Sequence, residues 1–359
     1  MHNLLVIAPC APEMLKSQGT MVAERMAESG KVKVELLTDA RSGMGRVVDV
    51  MTRGFFKALK YDVIFVNVYG YKAFVYEAMA IFYGKLFRKR VVIMLRGGWM
   101  AEFFDNYPRI GRCFLSMPDA VLTPHGFLKK QLQARGVGIH GIIPNFIELQ
   151  RYPYKKRACL EPKFLFMRGT HFIYNPEMAL HAFQRIQKVF PSASMTLVGR
   201  DDDKAKELTA LIAQLGLKNV KRIAPVPKDE VPRLASSHDV YIQTNRVDNM
   251  PVTVLEMWAL GIPVVATNVG GLPDLVTDQQ DAILVEKDDI DGFADACIGL
   301  LKNKALADKL SENGRMRVEN MTWEKIAPLW ENVFFNPEGD EAHLHHQNNI
   351  ETIEEGEKI

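Results

Sequence analysis

The sequence lacks the features that mark small secreted, metal-stapled or membrane-spanning chains. Its four cysteines, Cys10, Cys113, Cys159 and Cys297, lie far apart and form no CxxC. That spacing argues against a disulfide framework or structural zinc site and for a reducing compartment. The start, Met1-His2-Asn3-Leu4-Leu5-Val6-Ile7-Ala8-Pro9, has no basic segment, and its apolar run is too short for a signal peptide. No stretch of about 18 residues stays apolar without a charge, so no spanning helix is expected. No short-period repeat occurs, which excludes a solenoid. These absences predict a soluble, cytoplasmic protein.

What is present fits a globular α/β chain. The 359 residues are 47% apolar and 25% charged, with 25 Gly, 18 Pro and a net charge of +2, which excludes collagen-like and wholly disordered classes. The length suggests two domains, each large enough to bury its own core. Charge is unevenly spread: residues 1–150 hold about 20 Lys and Arg against about 12 Asp and Glu, residues 151–336 nearly balance, and residues 337–359 reach about −6. The first part is therefore the one expected to meet an anionic partner.

Short β-branched runs alternate with amphipathic stretches. Strands are predicted at residues 4–8, 33–38, 63–68 and 91–95, with helices at 21–29 and 73–87. A second series follows Ile143-Pro144-Asn145-Phe146, with strands at 163–167, 194–198, 240–243 and 263–267. Its helices fall at 176–190, 204–215, 253–260 and 292–301. Strand–helix alternation predicts parallel sheets wound on both faces. The expected fold is two Rossmann-like, doubly wound α/β domains facing a central cleft, with ligands at the carboxyl ends of strands. The expected division is residues 1–150, residues 151–320, a last helix at 321–336 and an acidic tail at 337–359.

The run from Asp248 to Thr267 is the most informative. Pro251 suits the first turn of a helix, where its missing N–H is not needed, and Gly261 suits the stop. The strand 263–267 then leads into Asn268-Val269-Gly270-Gly271. A loop feeding a helix aims backbone N–H groups of Met250, Val252 and Thr253 outward, and the helix dipole adds positive charge. A diphosphate fits there. Asp248 lies in the loop beside it, and Glu256 on the second turn is placed to accept hydrogen bonds from sugar or ribose hydroxyls.

With these residues the chain resembles glycosyltransferase family 4, whose members have the GT-B fold. The run above resembles that family's E-x7-E segment, with Asp248 in place of the first Glu and Glu256 as the second. Ile143-Pro144-Asn145 resembles its interdomain motif, Thr196-Leu197-Val198-Gly199 its LVIVG strand and residues 268–271 its DVGG turn. The resemblance implies transfer of a sugar from a nucleoside-diphosphate donor with retention at the anomeric carbon and no bound metal or other cofactor. It implies that Glu256 holds the donor ribose and Asp248 the transferred sugar. Asn249, Met250, Pro251, Val252 and Thr253 form the cradle, Pro225 and Val226 lie against the base, and Gly19 faces the diphosphate. A leaving diphosphate gains charge, so an Arg at a strand end is expected to hold it, and Arg168 is the candidate.

Three positions depart from the family. Tyr174 stands where a Lys is usual, and His171 is a partial substitute for that cation. Asn67 replaces a first-domain His. Arg96-Gly97 replaces a His-Gly, so Arg96 would hold an anionic acceptor or the diphosphate, or serve a salt bridge. These departures keep open a catalytically inactive scaffold or nucleotide-sugar-binding protein of the same fold, beside a nucleotide-sugar epimerase.

His125, near a strand end, is a further acid/base candidate. Asp201-Asp202-Asp203 reads as the acidic start of a helix, and His343, His345 and His346 as part of a solvated tail. Basic and aromatic residues interleave at 53–60 and 83–90, a pattern that suits either an anionic membrane surface or a solvated helix face. The expected partners are a nucleotide sugar and a glycan or polyprenyl-linked acceptor, with peripheral contact at the inner face of a membrane. No nucleic-acid motif accompanies the charges.

Overall fold

A computed structural model describes residues 2–10, 16–40, 42–98, 100–200 and 204–336. The Asp201-Asp202-Asp203 run and the tail from Pro337 lie outside the described residues. The chain divides into two units, Met1–Asn145 with Trp323–Ile359, and Phe146–Thr322.

The first unit holds a six-stranded sheet. Its strands are β1 (His2–Ile7), β2 (Val32–Leu37), β3 (Val63–Val68), β4 (Arg90–Leu95), β5 (Ala120–Thr123) and β6 (Gly141–Ile142). Their order is β2-β1-β3-β4-β5-β6, and every pairing is parallel. The chain steps outward from β1 to β2, then returns to β3 on the other side, so the order reverses between β1 and β3. Strands β3 and β4 are apolar on both faces because both faces are covered. On one face Ile64, Val66 and Ile93 pack with the helix Phe74–Leu86. On the other, the Phe65 ring meets Trp330 and Phe334 of the last helix, Trp323–Phe335. Arg90 Nε donates to the Val333 carbonyl at 2.9 Å, which fixes that helix along β4.

The second unit repeats the plan with β7 (Lys163–Phe166), β8 (Ser194–Val198), β9 (Val220–Ile223), β10 (Val240–Gln243), β11 (Val264–Thr267) and β12 (Ile283–Val285). The order is β12-β11-β10-β7-β8-β9, again all parallel. Side chains alternate between two cores: Leu165, Tyr241 and Val264 face one, and Phe164, Ile242 and Val265 the other. Here the order reverses between β7 and β10. In open α/β sheets such a reversal opens a crevice at the strands' carboxyl ends, where ligands bind.

Candidate active site

The two strands at the reversal in the second unit carry the predicted residues. Arg168 follows β7 and Asp248 follows β10. Arg168 Nη2 donates to Asp248 Oδ2 at 2.9 Å and to Gln243 Oε1 at 3.1 Å. Asn245 Nδ2 donates to the same Asp248 oxygen at 2.6 Å, and the Asn249 N–H also bonds that carboxylate. The guanidinium lies 5.7 Å from the Tyr174 ring centroid, so the residue in the usual Lys position packs on the Arg. Burial raises the Asp248 carboxyl while Arg168 pulls it back. Burial also works against the Arg168 charge, yet Asp248 and the surrounding groups hold its pKa above the ordinary value.

Around this pair, Arg168 Nε, Gln243 Nε2 and Asn245 Oδ1 are buried with no hydrogen-bond partner among the described residues. Buried polar atoms are nearly always paired, and each orphan carries a desolvation cost. Three in one place, beside an ion pair at a switch point, mark a site shaped to receive a polar ligand.

The local backbone explains the placement. Gly270 has φ +59°, and a Cβ on it would stand 1.8 Å from the Asp248 carbonyl oxygen. The Gly271 N–H donates to that oxygen at 3.0 Å. The glycine pair therefore lets the turn after β11 press directly on the 248 loop. Gly199 does the same for Arg168, whose carbonyl oxygen is 2.3 Å from where its Cβ would be.

Pro251 is the cap residue of the helix Val252–Ala259, one position earlier than the first turn expected from the sequence. Val252 and Thr253 then supply first-turn N–H groups that have no partner within the helix. The Met250 side chain belongs to the core, and Asn249 is buried. Gly261 ends the helix at φ +69°, with Ile262 N–H bonded to the Met257 carbonyl at 2.9 Å.

Glu256 is buried on the second turn and accepts from the Tyr152 hydroxyl at 2.8 Å. Burial raises its pKa, opposed by the charge of Lys228, the Tyr152 bond and Arg168. Pro225 and Val226 follow the edge strand β9, three and two residues before Lys228. His171 caps the turn Phe172–Tyr174, its Nδ1 accepting from Ile173 N–H at 3.4 Å, and its side chain is exposed.

In the first unit, the reversal between β1 and β3 gathers a second cluster. Gly19 stands in the first turn of the helix Gln18–Glu28, where a Cβ would lie 2.3 Å from Asn67 Nδ2. Asn67 Oδ1 accepts from Arg96 Nε at 2.7 Å, and Arg96 Nη1 donates to Asn145 Oδ1 at 2.7 Å. A Cβ at Gly97 would stand 2.3 Å from the Tyr69 carbonyl oxygen. Asn67 Nδ2 is another buried orphan. His125 caps the helix Gly126–Gln133, its Nδ1 accepting from Leu128 N–H at 3.4 Å. Burial pulls its pKa down to about 4, so it is neutral at physiological pH. With its Nδ1 engaged by the Leu128 N–H it is a poor base there, and it has none of the acid form to give.

Sequence reasoning missed Gln243, Asn245, Tyr152, Lys228 and Asn145 as site residues. Gln243-Thr244-Asn245, a polar run straight after an apolar strand, was a usable signal. Nothing local marks Tyr152, which lies 104 residues from its carboxylate partner. Among the described residues no group of three or more His, Cys, Asp or Glu could hold a metal ion. No described helix is long and apolar enough to cross a membrane.

Comparison with known proteins agrees with this geometry. Residues 155–317, within the second unit, match the family model "Glycosyl transferases group 1". The chain is similar to an uncharacterized glycosyltransferase of Haemophilus influenzae, 26% identical over 183 residues, covering 50% of this chain and 51% of that protein. It is also 25% identical over 193 residues to UDP-Gal:alpha-D-GlcNAc-diphosphoundecaprenol alpha-1,3-galactosyltransferase of Escherichia coli, covering 50% of this chain and 49% of that protein. The chain thus spans about half the length of the curated relatives it matches. A crystal structure of Anabaena Alr3699/HepE in complex with UDP and glucose superposes with a TM-score of 0.75 at 17% identity, over 93% of this chain and 99% of that one. The fold is GT-B, two Rossmann-like domains, and residues 155–317 of the second unit resemble a group 1 glycosyltransferase domain.

Proposed function

We propose that the protein is a retaining glycosyltransferase. It takes a sugar from a nucleoside-diphosphate sugar and passes it to a glycan or polyprenyl-linked acceptor. The carrying observation is the Arg168–Asp248 pair at the β7/β10 reversal, with three orphaned buried polar atoms around it and a helix N-terminus beside it.

In this reading the diphosphate lies against the N–H groups of Val252 and Thr253 and the unused donors of Arg168. These groups are already in position, so they stabilise charge as it builds on the leaving phosphate without a reorganisation cost. Asp248 keeps the guanidinium in place and orients the sugar. Glu256 accepts from the ribose hydroxyls, and the 225–226 loop covers the base. The bond from the anomeric carbon to the phosphate oxygen breaks, and a bond to the acceptor oxygen forms on the same face. The acceptor's proton passes to the departing phosphate oxygen. The first unit's Asn67, Arg96 and Gly97 serve the acceptor. With Arg168 and the amides supplying positive charge, the chemistry asks for no metal. The family match over 155–317 and the relative that uses a UDP-sugar with a diphosphoundecaprenol acceptor support this reading.

Calorimetric titration with UDP-, GDP- and ADP-sugars is the test. One of them should bind, and Glu256→Ala should abolish that binding. Product NMR with an accepted acceptor should show the donor's anomeric configuration kept. Failure of every nucleotide sugar to bind would overturn the proposal.

A further inference from the structure

Residues 43–58 and the helix Phe74–Leu86 pack side by side in the first unit, with the Phe55 ring against Tyr83 at 5.4 Å and Phe87 at 5.2 Å. A surface helix ordinarily has one apolar stripe, turned to the core. These have two. The inner stripe of the first includes Val50 and Ala58, and that of the second Phe74, Ala78 and Ile81. An outer stripe runs through Met44, Val48, Met51, Phe56 and Leu59 on the first, and Val75, Phe82 and Leu86 on the second, all exposed. Steps of three, four or seven residues keep each set on one face, and the five-residue step from Met51 to Phe56 crosses the wider π-helical turn Val50–Gly54. Phe56 is 66% exposed and Met44 73%. A contiguous apolar patch of this kind marks an interaction surface.

The charge around it names the partner. Residues 43–60 contain Arg46, Arg53, Lys57 and Lys60 with one acid, Asp49, which is buried. Residues 71–90 contain Lys72, Lys85, Arg88, Lys89 and Arg90 with one acid, Glu77, also fully buried. The nearby acids Glu35, Asp39 and Asp119 are each in an ion pair with a lysine or arginine of these segments. No acid of these segments therefore reaches the outer surface. Apolar side chains flanked by one sign of charge suit an interface where hydrocarbon lies under anionic headgroups.

We propose that this face of the first unit docks on an anionic lipid bilayer, with Phe56, Phe82 and Leu86 entering the acyl boundary and Lys60, Lys72 and Arg88 at the headgroups. The inference does not depend on the nucleotide-sugar reading, because its residues lie in the first unit and outside the candidate site.

The experiment is flotation of the full chain with vesicles of phosphatidylcholine and phosphatidylglycerol, against phosphatidylcholine alone. The wild type should float with the anionic vesicles and be released by salt. A basic residue at an anionic surface contributes about five-fold to partition, so Lys60→Glu with Arg88→Glu should weaken it by roughly thirty-fold or more. Phe56→Ser with Phe82→Ser should weaken it comparably while the wild-type thermal midpoint is kept. Equal flotation with neutral vesicles, or binding that neither variant changes, would overturn the proposal. So would a concentration-dependent dimer that Phe56→Ser with Phe82→Ser dissolves, because a second copy would then be what covers the face.

Discussion

The two units share one plan, a parallel six-stranded sheet whose order reverses beside its first strand, and they spend it differently. The second unit buries an ion pair and three orphaned polar atoms at its reversal, and exposes few large apolar side chains: Phe172, Val189 and Met316. The first unit joins Arg96 to two asparagines at its reversal, and among the described residues eleven large apolar side chains are exposed on its helices and the turns beside them. The same topology therefore supports a charged recognition site in one half and an outer docking face in the other. Fold alone does not assign either role, and the side chains at strand ends and on outer helix faces do.

The sharpest way to break this contrast is Arg168→Ala. If the second unit holds the leaving diphosphate, transfer should fall about 10²–10³-fold, the effect of removing one preorganised charge donor. The change also leaves Asp248 buried and unpaired, so stability should fall too. Asp248→Asn added to Arg168→Ala should recover much of that stability and none of the rate. Recovery of both in steady-state assays would mean that the pair is structural. The matching change in the first unit, Arg96→Ala, should act on acceptor dependence and leave donor affinity near the wild-type value.

Next in size is a pH effect confined to the first unit. Glu77 is fully buried, and its carboxylate accepts from Tyr69 and Gly70 N–H at 2.9 and 3.2 Å. Burial pushes its pKa up to about 8 from an ordinary 4.5. Between those values the folded state binds more protons than the unfolded state, so stability should fall as pH rises through the window and level off above it. The total is on the order of a few kcal/mol. His125 works the other way: its folded pKa of about 4 lies below the ordinary 6.5, so its contribution is lost as pH falls through that range. Glu77→Gln should flatten the decline between pH 5 and 8 in urea titrations. A slope that survives the substitution would assign it elsewhere.

One added methyl in each unit compares the two reversals directly. Gly270→Ala meets the Asp248 carbonyl in a left-handed backbone, and neither neighbour can yield cheaply. A cost of about 2–3 kcal/mol is expected, with loss of donor binding. Gly19→Ala meets only the end of the Asn67 side chain, which can shift at the expense of its bond to Arg96, so about 1–2 kcal/mol is expected. Equal costs in chemical denaturation would show that the 248 loop is less constrained than its contacts imply.

How far the sequence carried depended on the range of the signal. Strands 63–68, 194–198 and 240–243 are read without error, because each is a short run dominated by apolar and β-branched residues that stands out from the amphipathic helices around it. The strands β5, Ala120–Thr123, β6, Gly141–Ile142, β9, Val220–Ile223, and β12, Ile283–Val285, are missed because two to four residues carry too little period. Residues 53–60 show an interleaved basic and aromatic pattern, yet two apolar stripes over 43–58 blur a helical moment and no helix boundary is legible. The 248–256 segment is legible because loop, proline, helix and glycine stop are local chemistry. Its pairing with Arg168 is not, since the ion pair spans 80 residues and depends on β7 lying next to β10.

The smallest effect tests a contact of that long-range kind. Tyr152 gives Glu256 its hydroxyl hydrogen from a segment 104 residues away. Tyr152→Phe removes one donor from a buried carboxylate and little volume, so stability should fall by about 1–2 kcal/mol. The Glu256 pKa, already raised by burial, should rise further because the bond favours its charged form. If Glu256 accepts from the donor ribose as a carboxylate, nucleotide-sugar affinity should be several-fold weaker near neutral pH, and its decline on acidification should begin at higher pH than in the wild type. Calorimetry across pH 5–8 reads both. Loss of stability with an unchanged binding profile would leave Tyr152 as packing alone and assign ribose recognition to another residue of the second unit.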